Sequence, residues 1–386
     1  MDSKSTQNYE KKNNFRDLYD EASNVTVNEC VLNYIQTLEN FSEPILADDD
    51  NKFLVGNYSD PVQSQIWGFY KRHQKANWKA EEVAMGNDLN DFNTIFGQNT
   101  DEKTRLKNEA AKNILKHILA FFANADGIVR ENIIQRFMTD VKLSSAQVYY
   151  TFQAAMENVH AESYTIQLTT LIQDPQERTK LLNAIYTIPA VKKKALWFLK
   201  YLSNPDKDHY INKIESFPLR LFAAGIAENV HFAGSFAVIF WIKTFGKMKG
   251  LAEYNRLISR DEGLHFEFAA FLYSHLKNKL PESVAVSVMK EAVEIEEIFF
   301  REAIKIDLIG MLYKDMVTYI KYMANETMKT YGYQEIYKGV SNPFEFMNMI
   351  DLPHKNNMHE VHPSEYGMSF IGNKDGEDEV RFDAEF

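Results

Sequence analysis

Apolar residues recur at helical spacing through long segments near residues 61–76, 104–124, 128–139, 144–172, 176–203, 213–245, 250–278, 282–300 and 302–331. Alternating runs of the kind a half-buried strand requires are scarce. Glycine and proline fall mostly between these segments, as at Gly246, Gly250, Pro205 and Pro281, where they end one helix and open the next. No tandem repeat of solenoid length is present. The pattern predicts an all-α fold, a single helical bundle with helices longer than average.

The two ends break the pattern. Residues 1–25 are rich in Asn, Lys, Ser and Glu without periodic apolar positions, which predicts a mobile N-terminal tail. After about Pro353 the chain carries scattered His and Asn, then the acidic run Asp375-Gly-Glu-Asp-Glu379. Residues 353–386 are therefore expected as a flexible C-terminal tail, and residues 26–352 as the helical domain. Apolar residues return only in Arg-Phe-Asp-Ala-Glu-Phe386, the composition of a docking peptide.

The chain has 386 residues with 45% apolar content, enough for a substantial core. Its 43 basic and 54 acidic residues give a formal charge of −11. That balance argues against nucleic acid or an anionic membrane as the main partner. A single cysteine, Cys30, cannot close an intramolecular disulfide, so a reducing, cytoplasmic compartment is expected. Met1 to Asp20 has no apolar segment of the secretory kind. Leu219 to Ile242 is long enough to cross a membrane, but it contains Arg220, Glu228, Asn229 and His231. It reads as a buried helix.

Candidate chemistry lies inside the helical segments. Glu157-Asn-Val-His160 and Glu262-Gly-Leu-His265 each set a carboxylate and an imidazole three residues apart, on one face of a helix. Two such helices can grip two metal ions if two further helices supply one carboxylate each. Asp126 and Glu228 each precede one motif by just over thirty residues, a separation that suits successive antiparallel helices. With ten histidines, chance alone gives on the order of one Glu-x-x-His match. A third match exists, Glu228-Asn-Val-His231, and spacing leaves His231 open as a ligand, a donor behind the ligands or a core histidine. The setting raises the main set above chance. Asp126 follows Ile118-Leu-Ala-Phe-Phe122 and Glu228 ends Leu221-Phe-Ala-Ala-Gly-Ile-Ala-Glu. Carboxylates buried there need a strong partner, and metal ions are the economical one. Tyr164 lies one turn beyond His160, on the ligand stripe.

These strings resemble the radical-generating small subunit of class I ribonucleotide reductase over roughly residues 60–350, with eukaryotic and large-virus members nearest in flavour. The resemblance rests on Leu119-Ala-Phe-Phe-Ala-Asn-Ala-Asp-Gly-Ile-Val129, Ala155-Met-Glu-Asn-Val-His160, Phe232-Ala-Gly-Ser-Phe236 and Leu257-Ile-Ser-Arg-Asp-Glu-Gly-Leu-His265. It implies a ferritin-like bundle with additional long helices, and Asp126, Glu157, His160, Glu228, Glu262 and His265 as ligands of two iron ions, with manganese as the alternative. It also implies dioxygen as co-substrate and Tyr164 as the residue oxidised to a stable radical, housed by Phe232, Phe236 and Ile258. An electron path through His160, Asp261 and Trp78 to a tail tyrosine, matched by Tyr366, is implied as well. The string Ala76-Asn-Trp-Lys-Ala-Glu-Glu82 carries the Trp78 match.

The terminal Phe-Asp-Ala-Glu-Phe386 is similar to the family's tail, so Phe382 and Phe386 are expected to dock on the large subunit, where ribonucleotides become deoxyribonucleotides. Family members are homodimers, and neither nucleic acid nor membrane is an expected partner. The chain departs from the family pattern at His354 to Ser364 before the tail, at His231, where an aromatic residue is common, and at Ala84, where an aspartate is frequent. Two other classes of function remain in view. A self-contained di-metal oxidase would need neither Trp78, Tyr164 nor the Phe-ended tail. A metal-storage or purely structural subunit would need neither Tyr164 nor the full ligand set.

Overall fold

Asp60 accepts from the backbone N–H groups of Val62 and Gln63 at 2.8 and 2.9 Å, and Pro61 follows at the first helical position. The cap satisfies donors that no preceding turn can reach, and proline has no N–H to leave unbonded there. Asp101 repeats the device, accepting from Thr104 N at 2.9 Å. In chain order the principal helices are α1 (Phe15–Ser23), α2 (Pro61–Lys75), α3 (Glu102–Asn132), α4 (Ser144–Leu171), α5 (Pro189–Leu202), α6 (Phe217–Ile226), α7 (Ala233–Lys243), α8 (Lys249–Ser274), α9 (Glu282–Ala303) and α10 (Tyr313–Thr330). Two π-helical segments interrupt them, Ile133–Phe137 after α3 and Ala227–His231 between α6 and α7.

The computed structural model describes residues 15–24, 28–36, 41–48, 53–54, 56, 59–202 and 209–348. Tyr366, Phe382, Phe386 and the segment His354 to Ser364 lie outside them. Residues up to Phe346 form one unit, and of the second, residues 347–386, only Met347 and Asn348 are described. Among the described residues no strand forms beyond one isolated bridge, Leu308 to Met311, so the all-α expectation holds.

The central helix is α4. It buries Tyr149, Tyr150, Met156, Tyr164, Leu168 and Leu171 together with Glu157 and His160, and packs against α2, α3 and α8. Burial of each large apolar side chain contributes about 1.5–3 kcal/mol, so the surrounding core offsets the cost of enclosing polar groups. The apolar stretch Ile214–Lys243 is long enough to cross a membrane, but nearly all of it is buried inside the fold. The placement of α8 is fixed from outside the helix. Asp88 accepts from Gly250 N and Leu251 N at 3.2 and 2.6 Å, and a Cβ on Gly250 would stand 2.5 Å from Ala84 O.

Residues 104–124 and 128–139, expected as separate segments, run together in α3 as far as Asn132, and three further segments depart from the expected pattern. Within residues 1–25, expected as a mobile tail, Phe15–Ser23 form α1, whose Leu18, Tyr19 and Ala22 bury against Leu196 and Leu199 of α5. Residues 176–203, expected as one helix, are three: Pro175–Leu182, Ala184–Thr187 and Pro189–Leu202. Pro189 lacks the N–H to continue a helix and holds Ile188 extended, at φ −122° and ψ 111°. Residues 302–331 divide between the end of α9 and α10. The turn between them needs Gly310 at φ 80°, a left-handed conformation open to glycine, and Trp241 Nε1 donates to Ile309 O at 3.2 Å.

Candidate metal centre

The six expected ligands come from four stretches of the bundle wall. Asp126 is on α3, Glu157 and His160 are on α4, Glu228 is in the π segment, and Glu262 and His265 are on α8. All six are 6% exposed or less. Asp126, Glu157 and His160 offer ligand atoms within 4.8 Å of one another, and so do Glu157, Glu228, Glu262 and His265. Glu157 belongs to both groups.

Two carboxylates span the two imidazoles. Glu157 sets Oε2 3.4 Å from His160 Nδ1 and Oε1 3.2 Å from His265 Nδ1. Glu262 sets Oε1 3.0 Å from His160 Nδ1 and Oε2 2.8 Å from His265 Nδ1. Glu228 adds an oxygen 3.9 Å from His265 Nδ1. Two carboxylates that each reach both imidazoles, with Asp126 grouped on the His160 side and Glu228 on the His265 side, could hold two metal ions.

Electrostatics shows what the cluster lacks on its own. Burial pushes the carboxyls of Asp126 and Glu228 well above the usual carboxylate range, and neighbouring carboxylates push the same way. Burial opposes charge on the imidazoles, but Glu262 and the other carboxylates outweigh it. His160 is raised well above its ordinary value and His265 to about 9. Burial raises Glu262 too, yet His265 and His160 together hold it below the usual range. Despite these close approaches, both oxygens of Asp126 and Glu157, Oε2 of Glu228, Oε1 of Glu262 and Nδ1 of His160 make no well-aligned hydrogen bond among the described residues. Buried polar atoms are normally paired, so this donor set fits divalent cations. Four carboxylates with two imidazoles suit iron or manganese.

The third Glu-x-x-His match resolves differently. The π turn over Ala227–His231 carries more residues per turn than an α-helix, so Glu228 and His231 do not share a face. His231 Nδ1 meets Glu296 Oε1 at 2.7 Å, and Lys194 Nζ lies 2.6 Å from the same oxygen. His231 belongs to a buried Lys194–Glu296 pair on α5 and α9, away from the ligand groups.

Behind the metal face, His160 Nε2 lies 3.2 Å from Asp261 Oδ2, the oxygen that also receives Trp78 Nε1–H at 2.7 Å. The Trp78 ring stacks near His160, with centroids 6.1 Å apart at 23°. On the other side, Tyr164 is fully buried and its hydroxyl has no partner among the described residues. Burial, then the charge of Asp126, lifts its pKa well above the usual phenol value.

The ring lying on Tyr164 is Phe122, 4.7 Å away and nearly parallel at 6°. Phe232 and Phe236, expected as pocket walls, flank Phe122 at 5.4 and 4.9 Å, and Ile258 is fully buried one turn before Glu262. Sequence reasoning missed Phe122, although its place one turn before Asp126 carried the signal. It also missed His73. This fully buried imidazole lies 4.9 Å from the His265 ring, and burial and then His265 lower its pKa to about 3.

Comparison with known proteins places this geometry. The family described as "Ribonucleotide reductase, small chain" matches residues 57–343. The ribonucleoside-diphosphate reductase small subunit of Dictyostelium discoideum is 40% identical over 342 residues, covering 88% of this chain and 94% of that one. The small chain of Vaccinia virus (strain Ankara) is 41% identical over 325 residues, covering 84% and 94%. Among solved structures, the ribonucleotide reductase Rnr4 homodimer of Saccharomyces cerevisiae superposes with a TM-score of 0.66 at 26% identity, over 85% of this chain and 97% of that one. The R2 subunit from Clostridium botulinum shares the fold, with a TM-score of 0.64 at 20% identity over 74% and 88%. The chain belongs to the ribonucleotide reductase small-chain family.

Proposed function

We propose that this small subunit generates a radical on Tyr164 beside a centre of two iron or manganese ions, held by Asp126, Glu157, His160, Glu228, Glu262 and His265. The observation that carries the reading is the division of Glu157 and Glu262, each with one oxygen towards either imidazole, with the fully buried Tyr164 one turn beyond His160. Bound iron or manganese would supply the one-electron oxidising power, with dioxygen as the ultimate oxidant.

The chain's own residues then set the course of the electron and proton. Tyr164 gives up one electron and its phenolic proton, and Asp126 is the charge that acts most strongly on its hydroxyl. Phe122, stacked on the ring with Phe232 and Phe236 behind it, keeps water and reductants from the radical. Asp261 orients His160 by taking the N–H that faces away from the metals. By holding Trp78 through the same oxygen, it gives the electron a hydrogen-bonded route towards the surface. That route has no use in a self-contained oxidase.

In this reading the route continues through Tyr366 to a large subunit that binds Phe382 and Phe386, and the small subunit works in the cytoplasm as a homodimer. The homodimeric yeast relative supports the last point. Assay of deoxynucleotide formation tests the whole. Metal-loaded chain alone gives no turnover, and mixing it with its large subunit does. Turnover by the small chain alone, or none from the mixture when the radical is present, would refute the assignment.

A further inference from the structure

The two ligand imidazoles have different surroundings on the side away from the metals. His160 turns Nε2 to the Asp261 carboxylate. His265 has no carboxylate there, and its Nε2 finds no partner among the described residues although the side chain is buried. Packed against it on α2 is His73, fully buried, with the ring centres 4.9 Å apart at 64°. Both nitrogens of His73 also lack a partner among the described residues. Tyr149 and Phe152 hold the His73 ring from its other sides, at 5.7 and 4.9 Å.

Donor and acceptor numbers match across this contact. An imidazole that ligates through Nδ1 carries its proton on Nε2 and needs an acceptor, and a metal-bound histidine normally has one. A neutral imidazole offers one acceptor nitrogen. Each ring nitrogen stands about 1 Å from its ring centre, so the observed separation suits an N–H···N bond of about 3 Å once the two nitrogens turn to face each other. No other function described above uses His73.

We propose that His73 is a positioning residue for His265, accepting the outer N–H of that ligand as Asp261 does for His160. The consequence is asymmetry. A neutral acceptor behind His265 makes it a weaker donor than His160, whose partner is an anion, so the metal position beside His265 and Glu228 binds less tightly and depends on His73. The inference rests on the proposed metal centre.

The test is anaerobic titration of full-length protein with manganese(II) alone, against a competing chelator, for wild type, His73→Phe, His73→Asn and His73→Ala. His73→Phe keeps an aromatic ring against Tyr149 and Phe152 but removes the acceptor, and His73→Asn restores an acceptor. The expected result is that His73→Phe weakens one of the two positions by about 10–100-fold, that His73→Asn recovers most of it, and that the melting temperature of the metal-free protein is alike in these two variants. Wild-type affinity at both positions in His73→Phe, with loss only in His73→Ala, would mean that the ring merely packs and would overturn the proposal. Failure of wild type itself to take up two ions per chain would instead sink the metal centre.

Discussion

Asp261 Oδ2 receives the indole N–H of Trp78 at 2.7 Å while lying 3.2 Å from His160 Nε2, so one buried oxygen joins an expected ligand to a buried indole. Replacing Trp78 by Phe removes the donor and the easily oxidised indole but leaves His160 with its carboxylate. Trp78→Phe is therefore expected to bind metals and form the Tyr164 radical normally, and to lose at least 100-fold in deoxynucleotide formation with the large subunit, roughly the scale of one misplaced group in a reaction path. Loss of the radical together with turnover would place Trp78 in radical formation instead.

Glu157 serves both halves of the site, whereas Glu228 serves one. Glu157→Ala should abolish uptake of both ions, and Glu228→Ala should spare one. Metal content per chain after gel filtration distinguishes them. Equal losses in the two variants would show that the halves do not bind separately.

Metal loading should release protons. Burial pushes the carboxyls of Asp126 and Glu228 up, and the surrounding carboxylates raise His265 to about 9. At neutral pH His265 therefore holds a proton that a ligand must lose. The sign follows: apparent affinity rises with pH, including through the range near 9 where His265 gives up its proton. Calorimetric titration in two buffers of different ionisation enthalpy reads the protons directly, and a pH-independent affinity with no release would contradict the assignment.

Lys194 is fully buried, 2.6 Å from Glu296, with its ammonium 3.4 Å from the Phe121 ring centre. Removing one member of a buried pair strands the other charge, so Lys194→Met should destabilise the metal-free protein by about 3–5 kcal/mol. Adding Glu296→Gln should recover much of that. His231→Phe should leave metal stoichiometry at the wild-type value, since His231 faces Glu296. Urea denaturation and metal analysis check both parts.

Much of this molecule was legible in its sequence. The segment 144–172 became Ser144–Leu171 and 61–76 became Pro61–Lys75, because apolar periodicity is sustained in both and Asp60 caps the second. The pairs Glu157/His160 and Glu262/His265 were legible because three-residue spacing sets two side chains on one face of a regular helix, and the fold brings Asp126 and Glu228 beside them. His231 was not, because the same spacing means something else on a π turn. The breaks at Pro189 and Gly310 were hidden by apolar patterns that continue past them. Helix α1 was hidden because a nine-residue helix needs only three buried contacts to dock. His73 carried no motif. Only packing brings a lone histidine of α2 against His265.

Stability separates the role of Tyr164 from its packing. Its hydroxyl is buried without a partner among the described residues, so Tyr164→Phe removes a polar atom that gains little from the fold. The change should alter stability by no more than about 1 kcal/mol. Thermal denaturation of the metal-free protein reads this, and a large loss would reveal a hydrogen bond on which folding depends.

The most direct test loads purified wild type and Tyr164→Phe with ferrous iron under anaerobic conditions, admits oxygen, and records iron per chain with the electron paramagnetic resonance spectrum. The account predicts two irons per chain in both proteins, with a tyrosyl signal in wild type and none in Tyr164→Phe. A fully loaded wild type without that signal, or one that persists in Tyr164→Phe, would contradict it.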